Sequence, residues 1–483
     1  LSKSAENRWL AIAAYTLALA SCLPVLLARY PQMSDYPAHL ARYAVMLDAG
    51  RSADLSRYYT FQWSWTGNLG VDILIRPFAA IFGLETGGRI IAGLIPPLTG
   101  LGIIATDIAL RRRITLASLL AMPFVWSPMM LIGLINFALG QAAALWAFAL
   151  WVRNPRGRAV AFIPIGLLVW LCHISAWGIL GVMILAYELS HSRPIWPAFL
   201  RPWPLLAPLV VMKLIPGTAT SFSYGAYVWL YKQAIWQKAT RDTLFSLDTA
   251  TLIATVLLIA LALLRRRIDP RLGLAGGLLL LLSIAVPRHI SGGDYADYRL
   301  ITSGLMVCGL ALTFPAPRWA TVLAAAHVAL RLALTAHSWQ ADSATTARLL
   351  TALDHLPQGA RLASAVVVDR SQWPLNHFEH IGAYAVIRNH ALVNANFAVP
   401  HVHMLGVKTV PQGFVDPSQR LLVLGNQPVD LAAFKPALYA DYLWYVADRP
   451  PTTMPPGTIL WRDGHSFLMT LPKAPLANSR KAD

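Results

Sequence analysis

The sequence predicts a polytopic α-helical membrane protein with about eleven transmembrane helices and a C-terminal α/β domain outside the membrane. Three observations predict it. Hydrophobic residues make up 56% of the 483 and charged residues only 13%, too few charges to coat a water-soluble body of this length. Basic clusters punctuate the apolar runs: Arg111-Arg112-Arg113, Arg153/Arg156/Arg158, Arg265-Arg266-Arg267/Arg271 and Arg318. After residue 338 prolines, histidines and charges return, together with short strand-like runs.

The net charge of +17 raises nucleic acid as a partner. Basic residues placed between apolar spans form the positive-inside pattern instead, so membrane lipid is the expected partner and nucleic acid is not. Cys22, Cys172 and Cys308 all fall in apolar runs and read as small core residues. Leu19-Ala20-Ser21-Cys22, following Lys3 and Arg8, looks like a lipoprotein signal; the expectation is that this first span is retained.

Each span must be helical, because lipid offers a bare backbone no hydrogen-bond partner. Trp9–Ala28 is the first, with Lys3 and Arg8 setting the N-terminus in the cytoplasm. Residues 29–68 form an outer loop. Residues 69–84, with Asp72 and Arg76, read as a half-buried or re-entrant helix. The other spans are 89–110, 115–132, 134–152, 159–173, 174–190, 203–217, 248–264, 272–288, 300–314 and 318–337. This count keeps every basic cluster inside and the C-terminus outside. The transmembrane domain is then 1–337 and the outer domain 338–483, with predicted strands at Leu362–Val368, Arg420–Leu424 and Tyr442–Ala447 and a helix over Ser343–His355. The Ala/Leu/Arg-rich composition fits a bacterial inner membrane, with the outer domain periplasmic.

Two further outer stretches follow the first loop. One, about 218–247, carries Tyr224, Tyr227, Trp229, Tyr231 and Trp236, read as an interfacial belt. The other is the turn at 287–300. Here Arg288 and Arg299 either clamp a lipid-linked phosphate or pair with Asp294 and Asp297 to hold the turn. His289 and Asp297 stand beside them. His173, at an outer helix-to-helix turn, either lines a cavity or packs, and Asn68 and Asp72 offer polar groups from the half-helix. Asn136 and Gln141 are weaker versions of the same pattern.

The first loop, Tyr30-Pro31-Gln32-Met33-Ser34-Asp35-Tyr36-Pro37-Ala38-His39-Leu40-Ala41-Arg42-Tyr43, is the most informative segment. Ser34 or Asp35 can cap a helix whose first turn holds Pro37. Asp35, His39 and Arg42 then share one face, and Leu40, Tyr43, Ala44 and Leu47 another, giving an amphipathic helix along the interface. Carboxylate, imidazole and guanidinium together are either a site for proton transfer and phosphate binding or a solvated charge cluster on a capped helix.

This arrangement resembles the GT-C superfamily of membrane glycosyltransferases. The likeness lies in the layout of nearly the whole chain and in the loop at about 30–45. It implies an N-in first span, an acidic residue in a large first outer loop, an interfacial helix and a C-terminal outer domain. The donor it implies is a sugar linked to a polyprenyl phosphate, and the acceptor a glycan or lipid. Asp35 matches the loop-one acid, a general base or, in some members, a metal ligand. It stands without the acidic neighbour other members carry, which leaves a divalent metal (Mg or Mn) open. On this reading Asp35 is catalytic, Arg42, Arg288 and Arg299 bind donor phosphate, and His39, Asn68, Asp72, His173, His289 and Asp297 line the substrate cavity.

The outer domain adds His377, Glu379, His380, His390, His401 and His403, either metal ligands or a loop over the site. Two other functions compete: a transporter or flippase of lipid-linked sugars, and a noncatalytic scaffold in envelope polysaccharide assembly. Charges gathered at span ends, with no internal repeat, count against the transporter.

Overall fold

The computed structural model describes residues 3–192, 194–214, 221–291, 293–398, 404–408, 421–423 and 426–472. It is mostly helical and divides into two compact units: residues 1–29, 65–82 and 86–340, and residues 30–64, 83–85 and 341–483.

The first unit is built mainly of helices, with a short strand pair, Phe222–Ser223 and His289–Ile290. Among the described residues six helices are long and apolar enough to cross a membrane: Arg8–Leu27, Leu84–Arg111, Ile135–Arg153, Ile174–His191, Phe245–Leu264 and Arg318–His355. Leu116–Ile132, Arg158–Cys172 and Pro270–Ala285 are apolar but shorter. Large side chains such as Val160, Leu257, Leu264, Leu281, Trp319 and Leu323 are exposed, a surface suited to lipid rather than water.

Close helix packing depends on small residues. A Cβ on Gly276 would sit 2.4 Å from the Cys308 sulfur, and one on Gly304 2.8 Å from Leu280. These two glycines let Pro270–Ala285 and Ala296–Ala311 approach backbone to backbone, as small residues do between membrane helices. Leu10, Ala14 and Ala18 pack with Ile104, Leu116, Leu119, Met122 and Val328.

Several predicted spans take a different form. Residues 115–132 are broken into Leu116–Ala121, a 3₁₀ turn Met122–Phe124 and Pro128–Ile132, because Pro123 and Pro128 each remove a backbone donor. Residues 203–217 give a 3₁₀ turn, Trp203–Leu206, and the eight-residue helix Ala207–Leu214; 215–217 lie outside the described residues. The helix beginning at Arg318 does not stop at 337 but runs to Leu349 and continues as a 3₁₀ segment to His355. The polarity rise after 338 marks a change of surroundings, not the end of the helix.

Members of the basic clusters are fastened to buried carboxylates. Arg111 pairs with Asp107 at 2.5 Å, Arg271 with Asp269 at 2.6 Å, and Arg158 with Glu188 at 2.8 Å; Arg201, outside the clusters, meets the same Glu188 at 2.9 Å. Asp107 also accepts from the Thr115 backbone and the Ser118 hydroxyl, and Glu188 from the Trp151 indole. A buried charge persists only when paired and hydrogen-bonded in this way.

The second unit is a mixed sheet with helical cover. Its strand order is Leu392–Val393, Arg361–Asp369, Tyr442–Val446, Ser466–Thr470, Ile459–Asp463, and Leu421–Val423 pairs with the far end of Arg361–Asp369. The 361–369 strand is parallel to its three partners, whereas Ser466–Thr470 is antiparallel to both neighbours. Ala363, Ala365, Leu443, Tyr445, Phe467 and Met469 form its core with Leu431 and Phe434. The three predicted strands all appear, because β-branched and aromatic runs between turn residues suit a pleated, buried surface.

Most of the first loop, residues 30–64, belongs to this unit and adds a separate two-stranded sheet. Strand Tyr59–Phe61 pairs antiparallel with Leu405–Val407. The Tyr59 hydroxyl donates to the Ala391 carbonyl and accepts from the Val393 backbone and the Asn396 amide. The Tyr30 backbone donates to Ser343, and Gln32 to Thr346.

Candidate functional site

The helix after Ser34 runs over Tyr36–Asp48, with Asp35 at its N-cap position and Pro37 in its first turn. It is not the interfacial helix expected from its pattern. Tyr36 through Tyr43 are all buried, His39 and Arg42 included, and the helix packs on Tyr384–Asn389 and the 3₁₀ turn Ile381–Ala383. Tyr, His and Arg carry apolar bodies as well as polar tips, so one pattern serves both an interface and a core.

Asp35 remains partly open, its side chain 19% exposed. Its Oδ1 lies 3.6 Å from Nε2 of His380, whose side chain is 2% exposed. Glu379 Oε1 approaches the same nitrogen at 4.0 Å. Both separations exceed a hydrogen bond but sit well inside the reach of charge–charge interaction. Two carboxylates thus converge on one buried imidazole nitrogen. The Phe397 ring lies 5.3 Å from that of His380 and 4.9 Å, edge-on, from that of His39. The Arg42 guanidinium lies 4.9 Å over Tyr43, and Ser34 donates to the Pro374 carbonyl at 3.4 Å.

Next to this group, His377 Nε2 is 3.9 Å from Asp342. Burial holds the His377 imidazole below its ordinary range, with Asp342 opposing. Behind the helix, Arg388 donates to both oxygens of Glu85 and to the Tyr30 hydroxyl, and its guanidinium lies over Tyr384. Burial raises the Tyr384 phenol, and Glu85 adds to the effect.

The remaining expected residues lie in the helical unit and form two groups. In one, the Asn136 amide donates to Asp72 at 3.0 Å and to the Asn68 carbonyl at 2.9 Å, and its oxygen accepts from the Val71 backbone. His173 caps the Ile174–His191 helix, its Nδ1 accepting from the Ser175 backbone, and meets Phe137 edge-on. The Arg299 guanidinium lies 5.7 Å from the same Phe137 ring. His173, Asp72, Asn136 and Arg299 are all buried.

In the other, Arg288 forms a bidentate pair with Asp294, both contacts 2.6 Å, and stacks over Tyr231. His289 is 3.6 Å from the same carboxylate. Of the two readings open for this turn, Arg288 takes the local ion pair. Its planar fork meets both oxygens of that carboxylate. Asp297 is buried and held by Lys232 at 2.6 Å, the Tyr231 hydroxyl and the Tyr298 backbone.

No group of three His, Cys, Asp or Glu side chains able to hold a metal ion occurs among the described residues. His401 and His403 lie outside the described residues.

Sequence reasoning missed the pairing of Asp35 with His380 and Glu379. Its only signal was the His377-Phe378-Glu379-His380 run, read there as metal-type spacing. Lys232 was passed over inside the aromatic run, although a lone lysine there demanded a buried acid. No family model matches the chain, and neither a curated protein nor a solved structure matches it.

Proposed function

We propose that this chain is a GT-C-type glycosyltransferase of a bacterial inner membrane. It crosses the bilayer about eleven times and moves a sugar from a polyprenyl-phosphate donor to an acceptor hydroxyl on the periplasmic face. The observation that carries the reading is Asp35: a partly exposed carboxylate at the head of a buried helix, 3.6 Å from the buried His380. That pair offers the transfer a carboxylate base set beside a buried imidazole.

In the proposed reaction Asp35 takes the proton of the acceptor hydroxyl as its oxygen bonds to the anomeric carbon. The bond from that carbon to the phosphate oxygen breaks, and the electron pair leaves with the phosphate. The His380 imidazole acts on Asp35 electrostatically from 3.6 Å, and Glu379 stands 4.0 Å from the same nitrogen. Arg42, buried further along the same helix, is the cation proposed to face the developing phosphate charge. The apolar helices bring the protein to where a polyprenyl chain resides, so no soluble nucleotide is required.

The test uses the full chain in lipid nanodiscs with a panel of polyprenyl-phosphate sugars and glycan or lipid acceptors. Transfer to an acceptor, or slow donor hydrolysis in its absence, is expected for one of them. Movement of lipid-linked sugar across proteoliposomes with neither transfer nor hydrolysis would replace this reading with the flippase.

A further inference from the structure

At the other end of the Asp35 helix is a groove of about 430 Å³, within the second unit, that the transfer chemistry leaves unused. Small-molecule sites span roughly 300–1,000 Å³. The chain reverses there through Ala49 and Gly50, both left-handed at φ 52° and 86°. The reversal is held from inside: the Asp48 carboxylate accepts from the Ser52 backbone, and Arg51 donates to the Asp48 and Leu47 carbonyls. Asp48, Phe61, Gln62 and Lys408 line the groove with Val45 and Leu55.

The lining identifies a class of ligand. Asp48 retains acceptor capacity beyond the Ser52 contact, and Lys408 gives only one of its three donors to the Ser56 carbonyl, at 2.7 Å. Gln62 is exposed and Phe61 half-buried. An aromatic face ringed by an acid, an amide and an ammonium suits a sugar ring, whose C–H face lies on the aromatic and whose hydroxyls need both donors and acceptors. The carboxylate disfavours a phosphate or a second acid.

The spacing identifies its length. Helix Tyr36–Asp48 has 13 residues, so at 1.5 Å per residue Asp48 stands about 20 Å from Asp35. One molecule reaches both only if it is extended. We propose that the groove binds the distal part of an extended oligosaccharide acceptor, making the acceptor a glycan chain of several residues. Its role as acceptor rests on the sugar-transfer reading; the binding itself does not.

The experiment presents the full chain in nanodiscs to an array of defined mono- to hexasaccharides of neutral, amino and uronic sugars. Wild type should bind a subset of them, with affinity rising with chain length. Phe61→Ala and Gln62→Ala should each weaken binding at least tenfold. If Phe61→Ala fails to fold by thermal melt, the exposed Gln62 decides. Absence of oligosaccharide binding, no length dependence, or unchanged affinity in Gln62→Ala overturns the groove. Binding by the groove without transfer from any donor overturns the transferase reading and leaves the groove standing.

Discussion

Replacing Lys232 with Met should destabilise the helical unit by several kcal/mol, and the reason can be worked contact by contact. The ammonium is 6% exposed and its partner Asp297 fully buried. It donates to Asp297 at 2.6 Å and to the carbonyls of Ser283 and Val286 at 2.8 and 2.6 Å. Those carbonyls lie at the end of helix Pro270–Ala285, so the lysine is both a counter-ion and a C-terminal cap. Met preserves most of the apolar stem and deletes the charge. Asp297 then keeps only the Tyr231 hydroxyl and the Tyr298 backbone among these donors. Breaking a buried pair from one side costs about 3–5 kcal/mol, because the orphaned charge must stay buried. At a few degrees per kcal/mol for a body of this size, the midpoint should fall on the order of 10 °C. The assay is thermal unfolding in detergent, followed by intrinsic tryptophan fluorescence. Lys232→Met/Asp297→Asn should recover the part due to the orphaned charge, leaving about 1–2 kcal/mol for the two uncapped carbonyls. A loss under about 1 kcal/mol in the single variant, or a double variant equal to the sum of two large losses, would refute the reasoning.

Two more predictions concern the sheet unit. The folded-state pKa of His377 is depressed by burial, with Asp342 opposing. Below the unfolded value of about 6.5 the unfolded chain therefore binds a proton that the folded chain refuses, and stability falls as pH drops through that window. Melting temperatures at pH 7.5 and 5.5 should differ more in wild type than in His377→Gln, and an equal difference would remove the histidine from the account. Gly359 has φ +68° and a Cβ there would sit 2.5 Å from the Asp54 carboxylate, whereas Gly464, at φ +58°, faces open space. Gly464→Ala should cost only the left-handed strain, about 1–2 kcal/mol, and Gly359→Ala more; a reversed order in thermal melts would contradict the geometry.

The sequence was legible where one physical rule dominated. Strand Arg361–Asp369 and Tyr442–Val446 were readable because runs such as Ala365-Val366-Val367-Val368 suit only a buried pleat. Long apolar helices were readable because lipid tolerates little else. Legibility failed where two environments share one pattern. Helix Tyr36–Asp48 alternates polar and apolar residues as an interfacial helix would, yet it is buried, since Tyr43 and Arg42 satisfy a core as readily as a headgroup layer. It failed again where partners are distant in sequence. Nothing local to Asp35 announces His380, and nothing in the 218–247 run announces that Lys232 meets Asp297. The hydropathy fall at 338 was misleading for a third reason. Helix Arg318–Leu349 carries on through it, because hydrogen bonding along a helix is indifferent to what surrounds it.

Side-by-side rates of sugar transfer by wild type, Asp35→Asn and His380→Gln test the central claim most directly. The panel is the polyprenyl-phosphate sugars, and folding of each variant is checked by its melting curve. Removing a general base costs typically about 10²–10⁴-fold in rate. Asp35→Asn should fall by that amount with donor binding retained, and His380→Gln should fall less and shift the pH profile, since it acts through Asp35. Wild-type transfer accompanied by full activity in Asp35→Asn would contradict the account.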